Sequence, residues 1–283
     1  AISMACMYER DPSRILDALD FQLRSRDTQA IVTAFVGFID PEHKTLRYAN
    51  AGHPAPLLRG DGSLLSLYTG GLPLGLRDSA EPEHSQSVSL ENARLLALYT
   101  DGLVEGTRDL AFGERRLRQV VLSDAILFVR NPARLLCDAC LPFESQDDTA
   151  VLTVLFGAHT RWSFDAENAQ AAHDARAQFV AALRERAPQG SDFGAAELVF
   201  GELVGNVVRH AAGPIDVQLE WSGQHPVLHV TDRGKGFIRD PALPADVLSE
   251  SGRGLYIISE LTGELNIERI PGYGNHVRAV LKI

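Results

Sequence analysis

The second half of the chain contains a carboxylate and an amide at a spacing suited to phosphoryl chemistry. Glu202 and Asn206 are four residues apart, so in a helix they lie on the same face. A carboxylate and an amide one turn apart can serve as a general base and a cation ligand. The alternative is a polar stripe on a surface helix. Apolar residues close to the pair, Leu203 and Val207 among them, make polar groups at this position costly unless they are used.

A glycine-containing turn follows the next predicted strands. Asp232, Gly234 and Gly236 form an Asp-x-Gly-x-Gly pattern where the strand Val227 to Thr231 ends. Glycines allow a ligand to approach the backbone closely, and an ionised aspartate can accept a hydrogen bond from an amino group. This pattern predicts a ligand-binding turn.

A second glycine pair precedes a predicted helix. Gly252, Arg253 and Gly254 stand at its start, where free backbone N–H groups form a phosphate site. Arg253 either contacts phosphate or is solvated. A single Gly-x-Gly is weak evidence for a nucleotide site. The helical Glu-x-x-x-Asn, the Asp-x-Gly-x-Gly turn and this Gly-x-Gly together occur in an order that favours nucleotide binding.

In the first half, carboxylates stand at the ends of two predicted strands. Asp101 follows the apolar run Leu95 to Tyr99, and Asp147 and Asp148 precede the strand that starts at Val151. Hard divalent cations prefer rigidly held oxygen ligands, and a metal cluster is a common device for hydrolysing phosphate esters. Alternatively, Asp-Gly is a turn and Asp-Asp is a solvated strand entry. The spacing alone leaves both interpretations open.

The elements that must position these residues differ between the two halves of the chain. The first half predicts a β-rich layer with flanking helices, and Gly102 to Gly106 is predicted as a turn. The second half predicts two long helices, two strands, a loop, a helix and two strands, which is an α/β sandwich with a mostly antiparallel sheet. The predicted domains are residues 1–158 and 159–283. The predicted strands are 33–40, 46–50, 57–59, 64–68, 88–90, 94–99, 151–156, 215–221, 227–231 and 276–283. The predicted helices are 1–26, within which a second helix starts near Asp11, 114–123, 133–140, 166–186 and 193–212.

Four segments of the first half occur in a fixed order: Tyr48 to Pro54, Gly71 to Gly75, Tyr99 to Glu105 and Asp147 to Ala150. Together they resemble the PPM-type metal-dependent Ser/Thr phosphatases of the SpoIIE/RsbU-like sigma-regulator branch. The resemblance covers about residues 1–156 and implies a β-sandwich flanked by helices. It implies that Mn²⁺ or Mg²⁺ is bound by Asp101 and Asp147, with Asp148 a further candidate. A metal-activated water would then attack phosphoserine.

The earlier Asp…Gly-His-Gly metal motif of these phosphatases has no counterpart before Thr33. Because Ala1 is expected to lie in mid-helix, we expect that motif to lie upstream of the chain. The alternative is a phosphatase-like domain without full activity. The 283-residue chain is therefore expected to hydrolyse phosphoserine poorly.

Residues 162–283 resemble the Bergerat (GHKL) ATP-binding fold, and within it the RsbW-like anti-sigma-factor serine kinases. The resemblance implies that Glu202 is the general base, that Asn206 binds Mg²⁺ and that Asp232 reads adenine. The same resemblance places the glycines of the two turns and Arg253 along the nucleotide; these glycines are Gly234, Gly236, Gly252 and Gly254.

Both resemblances imply one class of substrate, the anti-anti-sigma (STAS) protein with its regulatory serine. The chain is therefore predicted to be a bifunctional partner-switching regulator that uses ATP, and it could also bind a sigma factor or form a homodimer. A second interpretation is a non-catalytic ATP-binding switch that sequesters one of these partners. A third, a sensor histidine kinase module, needs a phospho-accepting histidine that the sequence does not indicate.

The composition of the chain limits the classes of binding partner and the cellular compartment. The chain has 37 acidic and 27 basic residues, and neither half has the basic excess that a nucleic-acid phosphate backbone requires. No apolar run approaches the roughly 18 to 20 residues of a membrane span. The 3 cysteines suit a reducing cytoplasm, and Cys137 and Cys140 form a lone C-x-x-C without a second pair for zinc.

Overall fold

The structure is a computed structural model that divides into two compact units. The first unit comprises residues up to Leu122 together with Cys140–Gly157, and the second comprises Ser123–Ala139 and Ala158–Ile283. The residues that the structure describes are 9–25, 30–68, 70–77, 84–105, 109–141, 148–157, 160–211, 213–222, 225–234, 253–270 and 273–283.

The first unit contains two antiparallel sheets with helices beside them. One sheet has the strand order β1-β2-β5 and the other has the order β4-β3-β6-β7. The strands are β1 (Ala34–Asp40), β2 (Thr45–Ala51), β3 (Leu57–Gly60), β4 (Leu64–Ser66), β5 (Gln86–Ser89), β6 (Ala93–Tyr99) and β7 (Val151–Leu155). The helices are α1 (Pro12–Ser25), α2 (Gly102–Glu105) and α3 (Leu110–Leu122).

Alternating apolar residues of both sheets form the core of this unit. Leu46 and Tyr48 of β2 pack with Leu58 of β3 and Leu96 of β6, which is the arrangement of a β-sandwich. Leu16 of α1 packs against the alanines of β2 in a second cluster. The predicted β-rich layer flanked by helices is therefore confirmed.

The second unit is an α/β sandwich built on a five-stranded sheet of order β11-β12-β10-β9-β8, in which every pairing is antiparallel. Phe179 and Phe200 of two long helices stack at the centre of its core. The strands are β8 (Thr160–Asp165), β9 (Pro214–Ser222), β10 (His225–Asp232), β11 (Thr262–Ile270) and β12 (Gly274–Leu281). The helices are α4 (Pro132–Cys140), α5 (Ala169–Arg186), α6 (Gly194–His210) and α7 (Arg253–Leu261), with a 3₁₀ turn over Asp124–Leu127.

Two local expectations differ from the structure. Gly102–Glu105 is a short helix rather than a turn, because the carbonyl of Asp101 accepts hydrogen bonds from the N–H groups of Val104 and Glu105. Strand β8, at the expected domain boundary, was not predicted. The second helix, expected to start near Asp11, is confirmed as α1 (Pro12–Ser25), while residues 1–8 and 26 of the predicted stretch lie outside the described residues. Among the described helices, none is long and apolar enough to cross a membrane.

Candidate functional site

Helix α6 presents Glu202 and Asn206 on one face, as the four-residue spacing predicts. The helix is anchored by buried apolar residues such as Val199, Phe200 and Leu203. Glu197 lies in its first turn and basic residues, including His210, lie in its last, where each favours the helix dipole. The pair is therefore carried on a rigid element.

The side chain of Arg209 lies along α6 and contacts both members of this pair. Its Nη2 atom donates to Oδ1 of Asn206 at 2.9 Å and lies 3.7 Å from Oε2 of Glu202. The positive guanidinium thus occupies the space between the carboxylate and the amide oxygen. Sequence reasoning did not select Arg209, although its position three residues after Asn206 on the same helix was a usable signal.

Helix α7 begins directly beside the same pair. A Cβ atom on Gly254 would lie 2.6 Å from Oε2 of Glu202 and 3.6 Å from the amide atoms of Asn206. The first turn of α7, with its free N–H groups, therefore adjoins a carboxylate and an amide oxygen. This is an arrangement suited to a phosphate and its counter-cation.

Asp232 ends β10 and is buried. Its Oδ1 atom accepts hydrogen bonds from the N–H of Gly234 at 2.6 Å and from Nδ2 of Asn275 at 2.9 Å. Burial raises the pKa of this carboxyl above its ordinary value, and the two hydrogen bonds act in the opposite direction. Both of these hydrogen bonds are accepted by Oδ1.

Asn275 is a second residue that sequence reasoning missed as a site residue. It pairs with Asp232 across β10 and β12, and Gly274 before it brings the two backbones into contact. A Cβ atom on Gly274 would lie 1.8 Å from the carbonyl oxygen of Asp232. Gly274 is thus required by the close packing of its backbone against Asp232.

The other nucleotide-site residues are only partly covered. Gly236 and Gly252 lie outside the described residues, and only the backbone of Arg253 is described. A cavity of about 790 Å³ lies along α5 and α6 and is lined by Gly201, Gly205 and Arg209 among others, but not by Glu202, Asn206 or Asp232.

In the first unit, the two carboxylate-bearing strand ends are adjacent. Tyr99 pairs with Val151, and the Oγ1 of Thr100 donates to the carbonyl of Asp148 at 3.3 Å. Asp101 is exposed, and its Oδ1 accepts from the N–H of Gly102 at 3.0 Å. Asp147 lies outside the described residues. The structure therefore brings the neighbourhoods of Asp101 and Asp148 together, as the strand-end argument predicts.

The histidine of the Tyr48 to Pro54 segment lies near this edge. Asn50 holds its loop by donating from Nδ2 to the carbonyl of His53 and accepting from its N–H, at 2.9 and 2.8 Å. Burial lowers the pKa of His53, and the negative charge of Asp101 acts in the opposite direction. Gly52 has φ +68° and packs against Pro73, so two of the predicted segments converge beside Asp101.

The carboxylate oxygens of Asp101 and Asp148 are the type of ligand that a hard cation prefers. Among the described residues, however, no group of three or more His, Cys, Asp or Glu side chains is placed to hold a metal ion. The amide oxygen of Asn206 and the carboxylate of Glu202 are likewise ligand types that Mg²⁺ prefers, and in this structure the guanidinium of Arg209 contacts both. Cys137 and Cys140 of α4 are not disulfide-bonded, and burial raises the pKa of Cys137.

The chain is similar to two families of known proteins. The model of the Stage II sporulation protein E (SpoIIE) family matches residues 1–156, and that of the histidine kinase-like ATPase domain matches residues 164–281. No curated protein sequence matches the chain significantly.

Solved structures of both kinds of domain align with the chain. The RsbU and RsbW domains of Rv1364c from Mycobacterium tuberculosis align over 100% of this chain and 79% of theirs, with 23% identity and a TM-score of 0.48. The phosphatase domain of SpoIIE from Bacillus subtilis aligns over 56% and 71%, with 16% identity and a TM-score of 0.37. The Acinetobacter baumannii histidine kinase AdeS aligns over 63% and 98%, with 18% identity and a TM-score of 0.27.

Proposed function

The chain belongs to the SpoIIE family and also carries a histidine kinase-like ATPase domain, and we propose that it phosphorylates and dephosphorylates one protein serine. The substrate is an anti-anti-sigma (STAS) protein. The observation that carries the kinase half is the contact of the α7 N-terminus at Gly254 with Glu202 and Asn206. Residues 1–158 form the phosphatase domain and residues 159–283 the kinase domain.

In the kinase half, Glu202 accepts the proton of the attacking serine hydroxyl. Asn206 would hold Mg²⁺ through its amide oxygen, the atom to which Arg209 donates in this structure. Asp232 would accept a hydrogen bond from the adenine amino group. Bound Mg²⁺ neutralises the charge of the ATP phosphates. Gly234, Gly236, Gly252 and Gly254 keep the backbone clear of the nucleotide, and Arg253 contacts phosphate. Because Glu202 is carried by a packed helix, it needs little reorganisation to meet the hydroxyl.

In the phosphatase half, Asp101 and Asp147 hold Mn²⁺ or Mg²⁺, with Asp148 as a third carboxylate. The bound metal supplies an activated water for attack on phosphoserine. The position of Asp101 is set by its strand and by the first turn of α2, to which its carbonyl is hydrogen-bonded. His53 stays largely neutral because it is partly buried, so it does not compete with a cation for the carboxylates.

Joining opposed activities in one chain raises the effective concentration of each for the shared substrate. The protein acts in the cytoplasm, where ATP is present and its cysteines stay reduced. It binds no nucleic acid and no membrane. Sequestration of a sigma factor and homodimer formation are compatible with this function.

The alternative is a non-catalytic switch in which ATP only shapes a surface that binds a sigma factor or an anti-anti-sigma protein. The test is to incubate the chain with ATP, Mg²⁺ and a cognate anti-anti-sigma protein and to follow phosphoserine by mass spectrometry. The proposal predicts ATP-dependent phosphoserine at one position. Its loss after removal of ATP and addition of Mn²⁺ should be slow with this chain, because the earlier Asp…Gly-His-Gly metal motif has no counterpart before Thr33. Tight ATP-dependent binding without any phosphoserine would favour the switch.

A further inference from the structure

The five-stranded sheet of the second unit has one apolar face and one polar face. Val217, Val230 and Val277 point into the core with α5 and α6, as members of its apolar cluster. Because side chains alternate along a strand, their neighbours point the other way. We call this side the polar face; it includes Ser163, Asp216, Gln218, His229, Thr231 and His276.

The polar face is buried, which is unusual for such side chains. Five of its residues, namely Asp216, Gln218, His229, Thr231 and His276, are only 1 to 3% exposed. The covering element is the segment Ser123–Ala139, which belongs to the second compact unit although it falls within residues 1–156 of the SpoIIE match. We call it the covering segment.

Phe128 is the centre of this cover. Its ring stacks on His229 with centroids 3.5 Å apart and rings within 7° of parallel, and its centroid is 5.0 Å from that of His276. The two imidazoles are joined to each other at 3.0 Å, from Nδ1 of His229 to Nε2 of His276. One aromatic side chain thus closes a hydrogen-bonded histidine pair away from water.

Backbone groups of the covering segment are bonded to side chains of the polar face or its edge. The N–H of Arg130 donates to Oδ2 of Asp216 at 3.1 Å, and the N–H of Ala125 donates to Oε1 of Glu268 at 3.2 Å. The carbonyl of Leu127 accepts from Arg161 at 3.1 Å. Buried polar groups destabilise a fold when they have no hydrogen-bond partner. The polar face therefore needs a cover that supplies such partners, which this segment does and an apolar helix surface would not.

The same contacts lead directly to the adenine end of the nucleotide site. Thr231, which donates to the carbonyl of Phe128 at 3.4 Å, precedes Asp232 in β10. Asp216 also lies 3.5 Å from the hydroxyl of Tyr273, and the guanidinium of Arg233 lies 4.9 Å from the centre of the Tyr273 ring. Tyr273 is followed by Gly274, whose backbone packs against the carbonyl of Asp232.

We propose that the polar face is an intramolecular docking surface for the covering segment, and that docking positions Asp232 for nucleotide binding. The inference rests on the proposed function only in taking ATP as the ligand of this site. Asp216 and Tyr273 are positioning residues, since they hold the β10 and β12 ends on either side of Asp232. Part of the SpoIIE-matched sequence is therefore required by the ATPase site.

The test is Phe128→Ala in the 283-residue chain, with Phe112→Ala as the control, because Phe112 is an exposed phenylalanine of the first unit. Two quantities are measured: ATP affinity by calorimetry, and amide hydrogen exchange of the peptides covering 225–232 and 274–281. Loss of docking should speed exchange in both peptides and weaken ATP binding by about 5- to 150-fold, the usual range of coupling between two sites. Phe112→Ala should change neither.

Asp216→Asn is the second variant. It keeps the side-chain volume, removes the negative charge and replaces one acceptor oxygen by an NH2 donor, opposite the donors of Arg130, Ser163 and Tyr273. It should weaken ATP binding in the same direction and leave exchange in α5 unchanged. Unchanged exchange of 225–232 in both variants would overturn the docking. Faster exchange with ATP affinity within about twofold of the unaltered chain would overturn the positioning of Asp232. Failure of the unaltered chain to bind ATP would instead refute the proposed function.

Discussion

A methyl group on Gly254 would lie 2.6 Å from Oε2 of Glu202, which is closer than a carbon and an oxygen approach without displacement. The start of α7 and the middle of α6 therefore meet at a point that only glycine fits without movement. This contact places the phosphate-binding end of one helix beside the proposed base on another. Because Gly254 and Glu202 are so close, single substitutions can test this arrangement.

Gly254→Ala should displace the carboxylate of Glu202 and lower the rate of serine phosphorylation by roughly 100-fold, because misplacement of a reacting group by about 1 Å has effects of that size. The free energy of unfolding should change little, since alanine is a better helix former than glycine. The measurement is the transfer rate to the anti-anti-sigma protein at saturating ATP.

Gly201→Ala is the matched control for that variant. Gly201 lies on α6 one residue before Glu202, and a Cβ atom there would meet nothing within 4 Å. It should raise stability by about 0.5 to 1 kcal/mol through helix propensity and leave the transfer rate unchanged. Equal transfer by both alanine variants would show that the Gly254 contact does not matter for the chemistry.

Asp232→Asn should weaken ATP binding by about 1 to 3 kcal/mol, the cost of mispairing a buried charge-assisted hydrogen bond. The amide would also place a donor opposite Gly234 or Asn275, which are both donors to Asp232 now. Calorimetry checks the affinity, with the exposed Asp174→Asn as the control. Wild-type affinity in Asp232→Asn would remove this residue from the adenine site.

Asp101→Asn should weaken Mn²⁺ binding by the first unit, because an amide is a poorer ligand than a carboxylate for a hard cation. Electron paramagnetic resonance of free Mn²⁺ during a titration measures this independently of turnover. The control is Asp61→Asn, which alters an exposed aspartate near Arg94. A loss of equal size in the control would mean that Mn²⁺ binds to surface charge and not at the strand ends.

The buried His229 should make stability depend on pH. Its pKa is lowered to about 4, first by burial, and the unfolded chain has the ordinary value of 6.5. Between these values the unfolded chain binds more protons, so stability falls as the pH falls from about 6.5 to about 4. The shift corresponds to at most about 3 kcal/mol.

The groups that face His229 are Glu220, which favours its protonation, and His276 and Arg278, which oppose it. Urea unfolding at pH 7 and pH 4.5 should show a smaller loss of stability in His229→Gln than in the unaltered chain. His43→Gln is the control, since His43 pairs with Asp40 on the surface. An identical pH dependence with and without His229 would contradict its burial as a neutral group.

Much of the fold was predictable because local patterns and tertiary packing agree. The 3.6-residue period of α6 and the alternation of β10 give both the elements and their buried faces, for example Leu203 and Val230. Edge strand β8 (Thr160–Asp165) was missed because it lies at the expected domain boundary and its alternation includes only two apolar residues, Trp162 and Phe164. The helix Gly102–Glu105 was missed because one turn leaves no periodicity to detect.

The residue types of the candidate site could be predicted from the sequence, but the distances between them could not. The spacing of Glu202 and Asn206 follows from one helix, whereas their approach to Gly254 joins two elements about 50 residues apart. The cover over the polar face was not predictable either. In a strand with alternating polar and apolar residues, the polar ones, such as Asp216 and His229, are predicted to face solvent. Only the tertiary structure, in which Phe128 packs on this face, shows that they are buried.

Glu202→Gln tests the central claim most directly, through the single-turnover rate of phosphoryl transfer from ATP to the anti-anti-sigma serine. The amide keeps the size of the side chain and cannot accept the hydroxyl proton. ATP affinity should therefore stay within about threefold while the transfer rate falls by about 10² to 10⁴, the usual contribution of a general base. A transfer rate equal to that of the unaltered protein, at unchanged affinity, would contradict the account.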